Sequence, residues 1–128
     1  MKSPMKNTSL ISSVKHATVG IRTAIRHEKV FRIELFFAAA VTIAGFVFRI
    51  NHTEAAVIAI CCTLVLSAEC LNSAVERVVD LVSPDFHPLA KQIKDLAAGA
   101  VLITAIGSMI LGLQIFWPKL MDFLSTLS

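Results

Sequence analysis

The chain reads as an all-α membrane protein, with one amphipathic surface helix followed by three membrane-spanning helices. Three observations predict this. Of 128 residues, 55% are hydrophobic and only 16% are charged, with a mean hydropathy of +0.73. A soluble domain has about 25% charged residues, and a chain this small buries only about two-thirds of its unfolded surface. The apolar residues are gathered into three long segments. The basic residues are concentrated near the N-terminus. Disorder is excluded by the same numbers, because it needs low hydrophobicity and high net charge. Residues 1–128 form a single integral-membrane domain in this reading.

Residues 9–27 form the surface helix. Leu10, Val14, Ala17, Ile21, Ala24 and Ile25 recur at helical spacing, while Lys15, Arg22 and Arg26 take the other side. A basic amphipathic helix of this kind lies in the membrane interface. Residues 1–9 are polar and no apolar stretch with a cleavage site follows them, so no signal peptide is expected.

The first span covers residues 33–50, apolar except for Glu34 and Arg49. The second covers 55–82: apolar to Ala68, then mixed. The third covers 96–117 and contains no charged residue. About 20 apolar residues cross the hydrocarbon core, so the third span qualifies outright and the second only if its polar end lies at the interface. The connection Arg49–Glu54 is short; the connection Ser83–Asp95 is longer and carries Pro84 and Pro88. On the third span Ala100, Thr104, Ser108 and Gly112 form a stripe of small residues, which lets helix backbones approach closely in lipid.

Lys2, Lys6, Lys15, Arg22, Arg26, Lys29 and Arg32 share a side of the membrane with Arg77, Lys91 and Lys94, against Arg49 and Lys119 on the other. The positive-inside rule therefore puts the N-terminus and the second connection in the cytoplasm. The net charge of +3 is too small to argue for nucleic acid, and none is expected as a partner. Cys61, Cys62 and Cys70 lie in one apolar run without a CxxC or a nearby His. They read as small fillers rather than a disulfide framework or metal site. His52 reads as a solvated loop residue and Trp117, before Pro118, as an interface anchor.

The chemistry is concentrated in Ala68–Asp80, AECLNSAVERVVD. At 100° per residue with Glu69 at zero, Asn72 falls at about −60°, Ser73 at about +40°, Glu76 at about −20° and Asp80 at about +20°. Three carboxylates and an amide share one face, with Arg77 at its border. Like charges one turn apart repel, and ionisable groups near a bilayer are functional candidates. A divalent cation would relieve the repulsion, and this oxygen-rich set suits Mg²⁺. Glu28 and Glu34 enter the first span on the same side, and Lys94 and Asp95 enter the third. Phosphoryl transfer from ATP to a hydroxyl needs a metal, a cation and a carboxylate that takes the proton, and Glu28, Glu69, Glu76 and Lys94 could supply these. The sequence contains no GxxxxGK[ST] loop and no protein-kinase signature. A small proton-coupled transporter or channel subunit is the competing class, with Glu69 as relay, but a transport site belongs nearer the midplane.

ECLNSAVERVVD at Glu69–Asp80 resembles the signature of the prokaryotic diacylglycerol kinase and undecaprenol kinase family. Gly20-Ile21-Arg22, Glu28, FRIEL at Phe31–Leu35 and the run from Ser83 to Leu102 are also similar to family sequence, over roughly residues 10–118. The resemblance implies a homotrimer with active sites shared between subunits at the cytoplasmic face. It implies Glu69 as general base, and Glu28 and Glu76 as holders of Mg²⁺ that also meet ATP. His16, Asp85, Phe86, His87, Lys94 and Asp95 are the further ATP contacts it implies. Asn72 and Asp80 support the polar cluster. Phe31 and Glu34, with Glu69, face the lipid substrate. The run VVDLVSPDFHPLAKQIKDLAAGAVL, with its two prolines, resembles the Gram-positive branch, whose usual substrate is undecaprenol; diacylglycerol is the alternative.

Overall fold

A computed structural model describes residues 9–127. Lys2 and Lys6, counted above toward orientation, lie outside the described residues. Four helices follow in order: α1 Leu10–His27, α2 Lys29–Val47, α3 His52–Val82 and α4 Pro88–Ser125. The last three are each long and apolar enough to cross a membrane.

Ser9 opens α1, its hydroxyl accepting from the Ser12 amide at 3.4 Å. Only Ala24 of α1 is buried; Leu10, Ile11, Val14 and Ile21 stay more than half exposed. The bundle therefore does not use the apolar side of α1, which is left free for an interface. Glu28 separates α1 from α2 with an extended backbone (φ −101°, ψ 111°). The Arg32 guanidinium donates to the carbonyls of Ile25 (3.2 Å) and Arg26 (3.1 Å), and so caps the end of α1.

α2 begins four residues before the expected 33, because its polar first turn belongs to the helix. It ends at Val47 rather than 50, because the chain turns back through Arg49 at φ 51°. The turn is closed by the Ile50 amide donating to the Gly45 carbonyl at 3.1 Å. A Cβ on Gly45 would lie 2.8 Å from Ile50 Cδ1, so a larger residue there would push the end of the Ile50 side chain aside.

α3 starts at His52 rather than 55. Asn51 accepts from the Glu54 amide (2.9 Å) while Glu54 accepts from the Asn51 amide (2.8 Å), a reciprocal cap. α4 starts at Pro88, eight residues before the expected 96. Proline is favoured in the first turn, where its missing N–H costs nothing, and His87 Nδ1 accepts from the Leu89 amide at 3.2 Å. The second connection is thus only Ser83–His87. α4 also runs through Pro118 to Ser125 instead of stopping at 117. Its far end is held by Phe48, whose ring meets Phe116 and Phe123 edge-on at centroid distances of 6.1 and 6.2 Å. A Lys119–Glu54 ion pair at 3.0 Å adds to this. This packing carries the helix past a single missing hydrogen bond.

α3 and α4 form the most extensive pairing, and α2 packs on α3. The inward seam of α3 runs Glu54, Ile58, Cys61, Val65, Glu69, Asn72 and Glu76, at steps of three or four. Thr104, Ser108 and Gly112 of the small-residue stripe are half-buried along the α3–α4 seam, whereas Ala100 is exposed. The Ser108 hydroxyl donates to the Cys61 carbonyl at 3.5 Å. Across the described residues just five apolar side chains are buried, and α4 has none. Most of the apolar surface is therefore left for lipid or for another chain.

Candidate active site at the α1 end of the bundle

Two polar groups gather where α1, the start of α2, the end of α3 and the start of α4 meet. The first is built around Glu69. It lies on the inward seam of α3, in line with Ile58 and Cys61, and is only 4% exposed. Ser73, one turn on, is the other buried polar residue among the described residues. The Asn72 side chain approaches the Glu69 carboxylate as a hydrogen-bond donor, and Glu76 and Glu28 are close enough to repel it. Glu34, on the inward seam of α2, repels it from the facing helix. Glu34 Oε2 and Asn72 Oδ1 are buried without a protein hydrogen-bond partner. Buried polar atoms without a protein partner point toward a ligand, ion or water. Phe31, one turn before Glu34, is 4% exposed.

The second group lies one turn further along α3. Lys94 Nζ sits 2.5 Å from Asp80 Oδ1, joining α4 to α3. Around this pair is a cleft of about 270 Å³ whose lining includes Asp80, Ser83, Asp85, Phe86, His87 and Lys94. The Ser83 hydroxyl donates to the Asp85 carbonyl at 3.2 Å and shapes the loop beneath it. The Phe86 side chain is 83% exposed and available to an incoming ring.

Of the residues singled out in the sequence, Glu28, Phe31, Glu34, Glu69, Asn72 and Glu76 thus fall in or beside the first group. Asp80, Asp85, Phe86, His87 and Lys94 fall in the second. Asp95 points away to Lys91, with which it pairs at 2.5 Å one turn back on the same helix. His16 is exposed on α1, twelve residues before Glu28, or about 18 Å along a helix axis. Among the described residues no hydrogen bond or ion pair joins it to either group.

Arg77 is the member that sequence reasoning left unassigned. Its Nη2 lies 2.7 Å from Glu28 Oε1. The signal for it was its place at the border of the α3 polar face. Glu54 and Lys119, at the opposite end of the bundle, were likewise unassigned, although Asn51-x-x-Glu54 is a readable capping pattern.

The donor set fits a magnesium ion that arrives with phosphate. Mg²⁺ is bound through one or two carboxylates, with phosphate oxygens and water completing its shell. Glu28 and Glu76, both near Glu69, could supply two such carboxylates. Among the described residues no group of three or more His, Cys, Asp or Glu forms a closed protein cage. The Arg77 guanidinium on Glu28 marks a place where positive charge is already accommodated.

Residues 15–116 match the family described as prokaryotic diacylglycerol kinase. The chain is 44% identical over 108 residues to undecaprenol kinase of Bacillus subtilis, covering 84% of this chain and 88% of that one. It is 38% identical over 117 residues to a diacylglycerol kinase of Synechocystis, covering 91% and 67%. It is 32% identical over 111 residues to the diacylglycerol kinase of Escherichia coli K12, covering 86% and 90%. The transporter alternative is thereby set aside. Because the match runs from α1 almost to Pro118 on α4, both polar groups lie within it, and the chain belongs to the prokaryotic diacylglycerol kinase family of small, ATP-using membrane lipid kinases.

Proposed function

We propose that the protein is an undecaprenol kinase that uses Mg²⁺ and ATP and works at the cytoplasmic face of the membrane as a homotrimer. The observation that carries the chemistry is the buried Glu69 carboxylate, which is flanked by Asn72 and surrounded by acids. The substrate reading is supported by the 44% identity to an undecaprenol kinase and by the Pro84-to-Pro88 segment. The cytoplasmic orientation is supported by the distribution of Lys and Arg. The trimer is supported by the apolar surface that three short-looped spans leave uncovered.

In this reading the lipid hydroxyl reaches Glu69 from the bilayer, between Phe31 and Glu34. Glu69 accepts the hydroxyl proton as the alcohol oxygen forms its bond to the γ-phosphorus. The bond from that phosphorus to the β–γ bridging oxygen breaks, and ADP leaves with the electron pair. Glu69 then returns its proton to water. Asn72 orients the carboxylate. Lys94 exchanges Asp80 for phosphate oxygens, and Asp85, Phe86 and His87 receive the base and sugar. His16 and Asp95 are the remaining candidate nucleotide contacts. Mg²⁺, when bound by Glu28 and Glu76, neutralises charge on the phosphate oxygens.

The decisive experiment is phosphorylation with labelled ATP, offering undecaprenol and diacylglycerol in parallel. Undecaprenol is expected to be the faster substrate by at least about tenfold, a difference of roughly 1.4 kcal/mol in transition-state binding. Faster diacylglycerol turnover would establish the second reading, which the Synechocystis relative favours. Labelling of neither lipid would overturn both.

A further inference from the structure

Within Glu69–Asp80, Arg77 is the one basic residue, and it directly follows Glu76. Its guanidinium crosses a separation of 49 residues to meet Glu28 Oε1 at 2.7 Å. The pair sits at the mouth of the acidic group, with the Arg77 side chain 53% exposed and that of Glu28 24% exposed. Lys94, the nearby lysine, is engaged by Asp80. Arg77 is thus the charge that balances Glu28, beside Glu69 and Glu76, which repel each other.

A guanidinium stays protonated throughout the working pH range. Deprotonation therefore does not release Glu28, whereas a cation that competes for the carboxylate does. A divalent ion carried by nucleotide phosphate would do this, because its charge is higher and its preferred ligands are carboxylate oxygens. The displaced guanidinium remains tethered one residue from Glu76, which the proposed reading gives to the same metal. Its planar fork suits two phosphate oxygens at once.

We infer that Arg77 is a positioning residue of the nucleotide site: it holds Glu28 before metal and nucleotide bind, then turns to the nucleotide phosphates. This rests on the proposed reading of Glu28 and Glu76 as metal holders.

The test uses the purified full-length protein in detergent, with Arg77→Gln, Arg77→Lys and Glu28→Gln. Mn²⁺ binding without nucleotide is followed by electron paramagnetic resonance. Removing a partly exposed competitor should tighten Mn²⁺ binding in Arg77→Gln by about twofold to fivefold, with Arg77→Lys in between. At saturating Mg²⁺, Arg77→Gln should raise KM for ATP by about tenfold, the loss of a charge-assisted contact, with kcat changed much less. Loss of Mn²⁺ binding in Glu28→Gln supports the metal reading by itself. If that loss is seen while Arg77→Gln binds Mn²⁺ like the parent protein, the inference about Arg77 fails and the metal reading survives. An unchanged KM for ATP in Arg77→Gln overturns the phosphate contact. Mn²⁺ binding that is indifferent to Glu28→Gln overturns the underlying reading.

Discussion

Lys94 on the second turn of α4 and Asp80 on the last turn of α3 are joined by a 2.5 Å ion pair across the cleft. The pair closes the tight Ser83–His87 turn from the side. It also holds the amine facing the cleft, where a phosphate would replace the carboxylate.

Because Asp80 is 67% exposed and Lys94 36%, the pair itself contributes little to stability. Lys94→Ala should raise KM for ATP by tenfold or more, as expected for loss of a contact of roughly 1.5–3 kcal/mol to a charged group. Asp80→Asn should have a smaller effect. A double-mutant cycle on thermal unfolding should give a coupling below about 1 kcal/mol. A larger coupling would make the pair a structural clamp.

Glu69→Gln keeps the shape and the contact with Asn72 but cannot accept a proton. Its kcat should fall by about 10²- to 10⁴-fold, the usual contribution of general base catalysis. Elution on size exclusion should match that of the parent protein. Turnover within a few-fold of the parent would remove Glu69 from the role. Glu76→Gln should instead shift the Mg²⁺ concentration for half-maximal rate upward, and an unchanged Mg²⁺ curve would exclude Glu76 as a metal holder.

Gly45→Ala places a methyl group 2.8 Å from Ile50 Cδ1. The end of the Ile50 side chain must move aside, and the cost should sit at the low end of overpacking, about 1 kcal/mol. Adding Ile50→Val removes the clashing methyl and should recover most of the lost Tm. Absence of recovery would put the cost in the backbone of Arg49 rather than in this contact.

At the opposite end, Glu54 both caps α3 and pairs with Lys119. Glu54→Ala should therefore lower Tm more than Lys119→Met, which removes only the ion pair. Neither should change kcat, because both residues lie far from the acidic group. A drop in kcat for Lys119→Met with unchanged Tm would show that this end of α4 communicates with the site.

The amino-acid sequence alone shows three spans and a surface helix, because apolar length and 100° periodicity are local properties. It determined the acidic face of α3 for the same reason: Glu69, Asn72 and Glu76 are spaced at helical steps. Helix ends were less legible. Pro88 read as part of a connection, although proline in a first turn begins a helix. The third span read as ending at Trp117, although Phe48 and Glu54 hold α4 beyond it. Tertiary structure alone decided which charges meet. Arg77 and Glu28 are 49 residues apart, and Glu34 faces Glu69 from another helix. Periodicity places a residue on a face of its own helix, but the packing of one helix against another decides what that face meets.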